Sequence, residues 1–168
     1  MQKLSHRLWL FLFSISSLSL ISAYVMEFYF LMEPCNLCIL QRFVIIGIII
    51  LAIAGITFKH VVMQWIFSIF ISLATLIGVI IGARHVWLQH LPASEVPLCG
   101  PNLDYLLERF PIWESIKIAF QGSGDCAEAG SLFLGLSLAV WTVILMCILH
   151  VASEALIVVQ IKTRQRKN

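Results

Sequence analysis

The sequence predicts an all-α membrane protein, a four-transmembrane-helix bundle whose long outer loop carries a short surface helix. Three observations predict this fold class. The 168 residues are 60% hydrophobic and only 12% charged, and a soluble domain of this length cannot bury so much apolar surface. Four apolar stretches are long enough to cross a bilayer, which takes about 20 residues. Most of the basic residues lie before the first stretch, between the second and third, and after the fourth, as expected when these ends share one side of a membrane.

The four predicted spans form one domain, 1–168, because no repeat, charge block or Ser/Gly linker divides the chain. The spans run over about 8–26, 39–58, 61–83 and 132–159, with outer loops over about 27–38 and 84–131. Lys3 and Arg7 precede the first span, but no cleavage site of small residues follows it, so we expect a retained helix. Gly78 and Gly82 form a G-x-x-x-G pair in the third span, which predicts close helix packing and allows dimerisation.

The placement of charge predicts the orientation in the membrane. Seven of the eleven Lys and Arg residues lie at the two termini or in the short connection after the second span. The positive-inside rule therefore places both termini in the cytoplasm and both longer loops outside. Eight of the nine acidic residues lie on the outer side, and the exception is Glu154. The net charge of +2 is too small to indicate a nucleic-acid partner.

The long outer loop contains one segment with helical periodicity. In "PIWESIKIAF", residues 111–120, the apolar side chains of Ile112, Trp113, Ile116 and Phe120 recur near helical spacing. This pattern predicts a short amphipathic helix on the membrane surface. A partly buried loop helix fits the same pattern equally well.

Four of the five cysteines lie at the outer side and form two candidate pairs. Cys35 and Cys38 form a C-x-x-C pair where the second span begins, and Cys99 and Cys126 lie far apart in the long loop. An oxidising outer compartment favours disulfides, and the sequence alone does not choose among the three possible connectivities. Cys147 lies within the fourth span, where we expect a small core residue.

Three uses of these cysteines compete. A disulfide that closes the loop from Cys99 to Cys126 would stabilise the fold by about 3.5 kcal/mol, but a C-x-x-C ring is too short to act as a brace. A zinc site of four thiolates fits only the C-x-x-C half, because zinc knuckles normally have a second tight pair. Thiol–disulfide exchange is favoured, since the helix dipole and Arg42, one turn after Cys38, would stabilise a thiolate.

The apolar character of the chain indicates the electron acceptor of such an exchange. No G-x-G-x-x-G or C-x-x-C-H motif occurs, so neither a Rossmann nucleotide site nor a haem attachment site is indicated. A lipid-soluble quinone is the acceptor that a bilayer-embedded chain reaches, and we expect it near Cys38 and Arg42. His85 lies at about the same depth, although a lone histidine at a helix end is more often an interfacial residue.

Five segments together resemble the bacterial DsbB family of membrane thiol:quinone oxidoreductases. They are "PCNLCILQR", "RHVWLQHLP", "CGPNLDYLLERFPIW", "GSGDCAE" and "FLGLSLAVW", and they occur in the family's order. The resemblance covers the chain from about 8 to 160. It implies an enzyme of the bacterial inner membrane that reoxidises a periplasmic thioredoxin-like dithiol oxidase of the DsbA type. The resemblance also implies that the electrons pass to ubiquinone or menaquinone.

The resemblance implies a role for each of the four outer cysteines. Cys99 and Cys126 would form the disulfide that meets the periplasmic partner, whose thiolate would attack Cys99. Cys126 would then exchange with the C-x-x-C pair through Cys35, and Cys38 would pass the electrons to the quinone. All four cysteines would lie on the periplasmic side.

The resemblance places three further residues at the quinone and leaves one alternative. Arg42 matches the arginine that supports the quinone reaction, and His85 and Gln89 match positions near the quinone. Gln41 stands where some relatives carry an acid, and Cys147 matches no family role. No metal site is expected. The alternative is a four-helix membrane scaffold of the tetraspanin kind, with disulfide-braced outer loops and no catalysis.

Overall fold

The computed structural model describes residues 2–58, 60–92, 94–95, 101, 103–122, 124, 126 and 132–165. Cys99 lies outside these residues. The elements within them are α1 (Gln2–Tyr29), α2 (Asn36–Thr57), α3 (Val61–Gln89), α4 (Leu103–Arg109), α5 (Ile112–Gln121), β1 (Leu132–Phe133), β2 (Leu136–Ser137) and α6 (Leu138–Gln165).

Four of these helices, α1, α2, α3 and α6, are long and apolar enough to cross a membrane. Each of α1 and α3 packs against both α2 and α6, so the four helices form a closed ring. Side chains from all four fill the centre of the ring, among them Trp9, Leu12, Ile48, Ile71 and Met146. The predicted fold class, an all-α membrane protein with four spanning helices, is therefore confirmed.

The fourth spanning helix begins later than the sequence predicts. The expected start at 132 is wrong, because β1 and β2 pair as an antiparallel hairpin before the helix begins at Leu138. Leu134 and Gly135, at the turn of this hairpin, have positive φ angles of 53° and 79°, which a right-handed helix does not allow. Ser137 then caps the helix, since its Oγ accepts the Val140 N–H at 3.3 Å.

The second spanning helix begins earlier than predicted, at Asn36 instead of near 39. Cys35 is the N-cap residue, with extended backbone angles of −70° and 164°, and its carbonyl accepts the Ile39 N–H at 3.1 Å. Cys38 therefore lies in the first helical turn. The turn places Cys38, Gln41 and Arg42 along one side of α2, because residues three and four apart share a helix face.

The predicted close packing at the G-x-x-x-G pair is confirmed within one chain. A Cβ atom added at Gly78 would lie 2.6 Å from Met146 Sδ, and one at Gly82 would lie 2.7 Å from Val143 Cγ2. Both contacts lie on α6, so the two glycines let α3 and α6 approach closely. Nothing in this packing requires a second copy of the chain.

Polar side chains also join α3 to α6 along their contact, and we call these three pairs the α3–α6 seam. Each pair links one side chain of α3 to one of α6, and the pairs are Ser68–Gln160, Ser72–Glu154 and Thr75–His150. The Ser68 and Thr75 pairs have separations of 2.8 Å and 3.0 Å. Hydrogen bonds between spanning helices satisfy polar groups that lipid cannot. The seam therefore accounts for Glu154, the one acid outside the outer loops.

The predicted helix in the long loop is present as α5, and it follows α4, which the sequence analysis did not predict. Ser115 Oγ donates to the Leu106 carbonyl oxygen at 2.8 Å and so joins the two helices. Ser115 and Ala119 are buried, whereas Ile112 and Trp113 are 70% and 79% exposed. The helix thus has one face packed on the protein and one apolar face left uncovered, and its position on the membrane surface stays a prediction.

Candidate active site

One end of the bundle gathers the candidate functional residues, and we call it the cysteine end. The end of α1, the start of α2, the end of α3 and the start of α6 surround a cavity of about 420 Å³ there. The polar and aromatic side chains that line it include Cys38, Gln41, Arg42, His85, Trp141 and Thr142. Most of the remaining wall is apolar, with Met26, Ile45 and Leu145 among its members.

The two cysteines of the C-x-x-C pair face different surroundings. Their Sγ atoms lie 3.0 Å apart, a hydrogen-bonding contact that is too long for a disulfide bond. Cys38 is partly exposed and lines the cavity, whereas Cys35 is only 6% exposed and does not line it. The pair therefore presents one sulfur to the cavity and the other to the protein interior.

Cys126 is brought to the interior side of this pair. Its side chain is 0% exposed and belongs to the same buried cluster as Cys35, Leu37 and Leu88. The chain turns toward this cluster at Gly122, whose φ of 80° and close approach to Leu88 leave no room for a Cβ atom. A loop residue 88 positions after Cys38 in the sequence thus lies beside the C-x-x-C pair.

Two hydrogen bonds tie the long loop to the same end of the bundle. Asn36 Nδ2 donates to the Pro101 carbonyl oxygen at 3.1 Å, and Arg84 Nη2 donates to the Gln121 carbonyl oxygen at 3.0 Å. Asn36 directly follows Cys35 in the sequence, and Pro101 follows Cys99 by two residues. The loop is therefore anchored next to the C-x-x-C pair on either side of α4 and α5.

Arg42 is held by three groups of α1 while it lines the cavity. Its guanidinium forms an ion pair with Glu27, donates to the Ala23 carbonyl oxygen at 3.2 Å and lies 5.2 Å from the centre of the Tyr24 ring. The carboxylate compensates the charge, which lowers the cost of an arginine within a spanning helix. The sequence alone does not pair these residues, because nothing local shows that α1 continues past Glu27 and faces Arg42.

His85 is a buried residue of the site. It is 2% exposed, and its Nε2 atom lies 3.7 Å from Cys35 Sγ. Its Nδ1 atom has no hydrogen-bond partner among the described residues. The imidazole therefore lies between the C-x-x-C pair and the cavity with one nitrogen unsatisfied.

Gln41 is a site residue that the sequence analysis did not select. It is 3% exposed and lines the cavity, and its Nε2 atom has no partner within the described part of the chain. Gly82 makes room for this amide, since a Cβ atom there would lie 3.1 Å from Nε2. The sequence indicates this role only by the position of Gln41, a polar residue three positions after Cys38 and next to Arg42 in a largely apolar span.

Two other residues from the sequence analysis lie away from the cavity. Gln89 does not line it, and its Oε1 atom accepts a hydrogen bond from Ser137 Oγ at 2.7 Å. This contact joins the end of α3 to the hairpin that precedes α6. Cys147 is exposed on the outer surface of α6, so the expectation of a small core residue is wrong.

The chain matches the family model described as "Disulfide bond formation protein DsbB" over residues 5–156. It is 40% identical over 153 residues to the disulfide bond formation protein B of Nitrosococcus oceani, a match that covers 86% of this chain and 88% of the relative. The protein of the same name from Marinobacter nauticus is 37% identical over 148 residues, with 85% and 87% covered. That of Saccharophagus degradans is 43% identical over 112 residues, with 66% and 68% covered.

Proposed function

Because the chain belongs to the family of the disulfide bond formation protein DsbB, we propose that it reoxidises a periplasmic thioredoxin-like dithiol oxidase of the DsbA type and passes the electrons to a membrane quinone. Members of this family are membrane proteins that take part in disulfide bond formation. The proposed path of the electrons, from the partner to the quinone, depends on how the cysteines are arranged. Cys126 is buried beside Cys35, and Cys38 faces a cavity lined by polar nitrogens.

The first exchange takes place at the loop cysteines. A thiolate of the partner attacks Cys99 of a Cys99–Cys126 disulfide, and Cys126 leaves as a thiolate. The second thiol of the partner then attacks the mixed disulfide, so that the partner gains a disulfide and both loop cysteines become thiols. Two electrons and two protons leave the partner in this step. The role of Cys99 in it follows from the family resemblance alone.

The second exchange transfers the same electrons to the C-x-x-C pair. The Cys126 thiolate attacks Cys35 of a Cys35–Cys38 disulfide, and Cys38 leaves as a thiolate. Cys99 then attacks Cys126, which restores the loop disulfide and leaves Cys35 as a thiol. The burial of Cys126 with Cys35 supports this order, because an exchange requires the attacking and attacked sulfurs to meet.

The cavity suits the head group of a quinone, which is a flat apolar ring with two carbonyl acceptors. Its volume of about 420 Å³ falls within the range of small-molecule sites. Gln41 Nε2 and His85 Nδ1 are buried without partners among the described residues, and Arg42 adds charged N–H donors. These three side chains are the ones that would hold the carbonyl oxygens.

The residues around the cavity would also manage the protons of the reaction. A quinone supplies an acceptor for two electrons and two protons. Cys38 faces the cavity as the electron donor, while His85 Nε2, 3.7 Å from Cys35 Sγ, is placed to take up the proton of that thiol. Most of the cavity wall is apolar, which suits the ring of a quinone.

The test uses purified protein in detergent, a ubiquinone analogue and the reduced periplasmic partner, with quinone absorbance followed over time. Loss of quinone absorbance is expected for the parent protein and none for Cys38→Ser or Cys99→Ser. Arg42→Ala is expected to slow the reaction. If neither a ubiquinone nor a menaquinone analogue is consumed by the parent while the partner stays reduced, the proposal fails.

The proposed orientation places the cysteine end at the periplasm and both termini in the cytoplasm. The basic residues at the end of α6 support it, since Lys162 and Arg164 lie in the last turn of that helix. Cysteines introduced at Trp113 and at Thr163, each in a background in which all five native cysteines are replaced by serine, provide the test in intact cells. An impermeant maleimide is expected to label the first and not the second, and the reverse pattern would invert the orientation.

A further inference from the structure

Three potential metal ligands converge at the cysteine end. Cys35 Sγ, Cys38 Sγ and a ring nitrogen of His85 all lie within 4.8 Å of one another. In a tetrahedral zinc site, a thiolate sulfur and an imidazole nitrogen are about 3.6 Å apart, and two sulfurs are about 3.8 Å apart. The distance of 3.7 Å between Cys35 Sγ and His85 Nε2 is already close to the sulfur–nitrogen value of such a site. The two sulfurs, at 3.0 Å, have to separate by about 0.8 Å once the ion replaces their protons.

We propose that the reduced Cys35–Cys38 pair and His85 form a three-ligand site for one Zn²⁺ ion. Two thiolates and one imidazole are a ligand set that zinc accepts with the fourth position open. The open position would face the cavity, because Cys38 and His85 both line it. The site differs from the four-thiolate knuckle that the sequence disfavours, since its third ligand comes from α3.

The charges at the site favour a divalent ion. Binding removes the two thiol protons, and Zn²⁺ with two thiolates and a neutral imidazole carries no net charge. A neutral complex suits a buried position, where two bare thiolates would be strongly penalised. The cation nearest the site on α2, Arg42, is already compensated by Glu27. No electron moves in this step, so the ion is bound and not reduced.

The site is linked to the redox state of the pair. A Cys35–Cys38 disulfide has no thiolates to offer, so the ion binds only the reduced form. Once bound, it occupies the sulfur that faces the cavity and holds the pair reduced. The resulting block of electron flow rests on the proposed function, whereas the binding of zinc does not.

Cobalt(II) gives a direct readout of the site in the purified full-length protein. Tetrahedral Co²⁺ bound to thiolates absorbs in the visible range and adds a charge-transfer band in the near ultraviolet. After reduction and removal of the reductant, titration is expected to give one such Co²⁺ per chain, displaced by Zn²⁺. The oxidised protein is expected to give none. A spectrum of equal strength in the oxidised protein would overturn the proposal.

Variants identify the ligands in the same titration. Cys35→Ser and Cys38→Ser are expected to lose the thiolate spectrum, and His85→Ala is expected to weaken binding at least about tenfold. A His85→Cys variant, which restores a ligand, is expected to recover binding with a stronger charge-transfer band, which separates loss of a ligand from loss of the fold. Cys147→Ser, the matched control, is expected to bind as the parent does. Unchanged affinity in His85→Ala would refute the three-ligand site.

A second experiment separates this inference from the proposed function. Zn²⁺ added to the quinone assay is expected to stop the reaction, and a chelator is expected to restore it. Metal binding without quinone consumption by the parent would leave the site standing and remove the proposed function. If the parent consumes quinone, Zn²⁺ does not change the rate and no Co²⁺ spectrum appears, the proposed function stands and the metal site is refuted.

Discussion

The cysteine end and the α3–α6 seam both contain buried polar side chains, but the two regions differ in how these side chains are hydrogen-bonded. In the seam, polar side chains pair across the facing helices, as Gln160 Nε2 does with Ser68 and His150 with Thr75, and the Gln160 Oε1 atom, which has no partner among the described residues, does not face the cavity. At the cysteine end, Gln41 Nε2 and His85 Nδ1 find none within the described residues, and both side chains line a cavity. Paired polar groups hold helices together, whereas unpaired ones beside a cavity indicate a ligand.

The largest effect is expected when a cysteine beside the site, Cys126, is replaced, in contrast to Cys147, which lies away from the site. Cys126→Ser is expected to lower the rate of quinone reduction with the reduced partner at least about a hundredfold, because a covalent exchange step is lost. Cys147→Ser is expected to leave the rate unchanged, since Cys147 is exposed on α6 away from the cavity. Equal rates for the two variants would remove Cys126 from the relay.

The next effect concerns the helix contact behind the cavity. Gly82→Val is expected to reduce stability by about 1–3 kcal/mol, because the new side chain overlaps Val143 Cγ2 and the Gln41 amide. Gly47→Ala is the matched control, since a Cβ atom there meets nothing within 4 Å. Size-exclusion recovery after heating in detergent measures both. A Gly82→Val protein as heat-resistant as the parent would show that α3 and α6 are not tightly packed there.

A pair of glutamines tests the comparison itself, because the two sites predict opposite outcomes. Gln41→Leu is expected to raise the KM for quinone about tenfold, the value of one lost hydrogen bond, without loss of stability. Gln160→Leu is expected to leave KM unchanged and to cost about 1 kcal/mol of stability, because the hydrogen bond from Gln160 Nε2 to Ser68 Oγ is lost. Steady-state kinetics and thermal recovery distinguish the two. The reverse outcome, with Gln41→Leu unstable and KM unchanged, would make Gln41 a structural residue.

The smallest effect is expected within the seam. Ser72→Ala removes the hydroxyl that donates to Glu154 and is expected to cost about 0.6 kcal/mol, the average for a hydrogen bond between spanning helices. Quinone reduction is expected to proceed at the parent rate. A loss of activity in this variant, with normal thermal recovery, would give the seam a functional role that the present account does not include.

The four-helix fold could be predicted from the sequence because long apolar runs are a local property of the chain. The start of the fourth helix could not, since the apolar residues from Leu132 to Leu138 suit a strand or a helix equally well. The turn at Leu134 and Gly135 decides between them. The helix α4 was also missed, because its seven residues are too few to show a periodic pattern.

The candidate site could be predicted only in the part that lies along one helix. The C-x-x-C spacing and Arg42, one turn later, are visible in "CNLCILQR". The Glu27 partner of Arg42, the burial of Cys126 beside Cys35 and the unsatisfied amide of Gln41 are contacts between distant segments. Such contacts depend on how the helices rotate and pack, which no local pattern of residues records.

The most direct test of the account asks whether Cys126 meets Cys35. In a Cys38→Ser, Cys99→Ser double variant, mild oxidation leaves Cys126 able to pair only with Cys35 or Cys147. A Cys35–Cys126 disulfide is expected, identified by mass spectrometry of the digested protein. Cys126 that stays a thiol, or that pairs with Cys147, would contradict it.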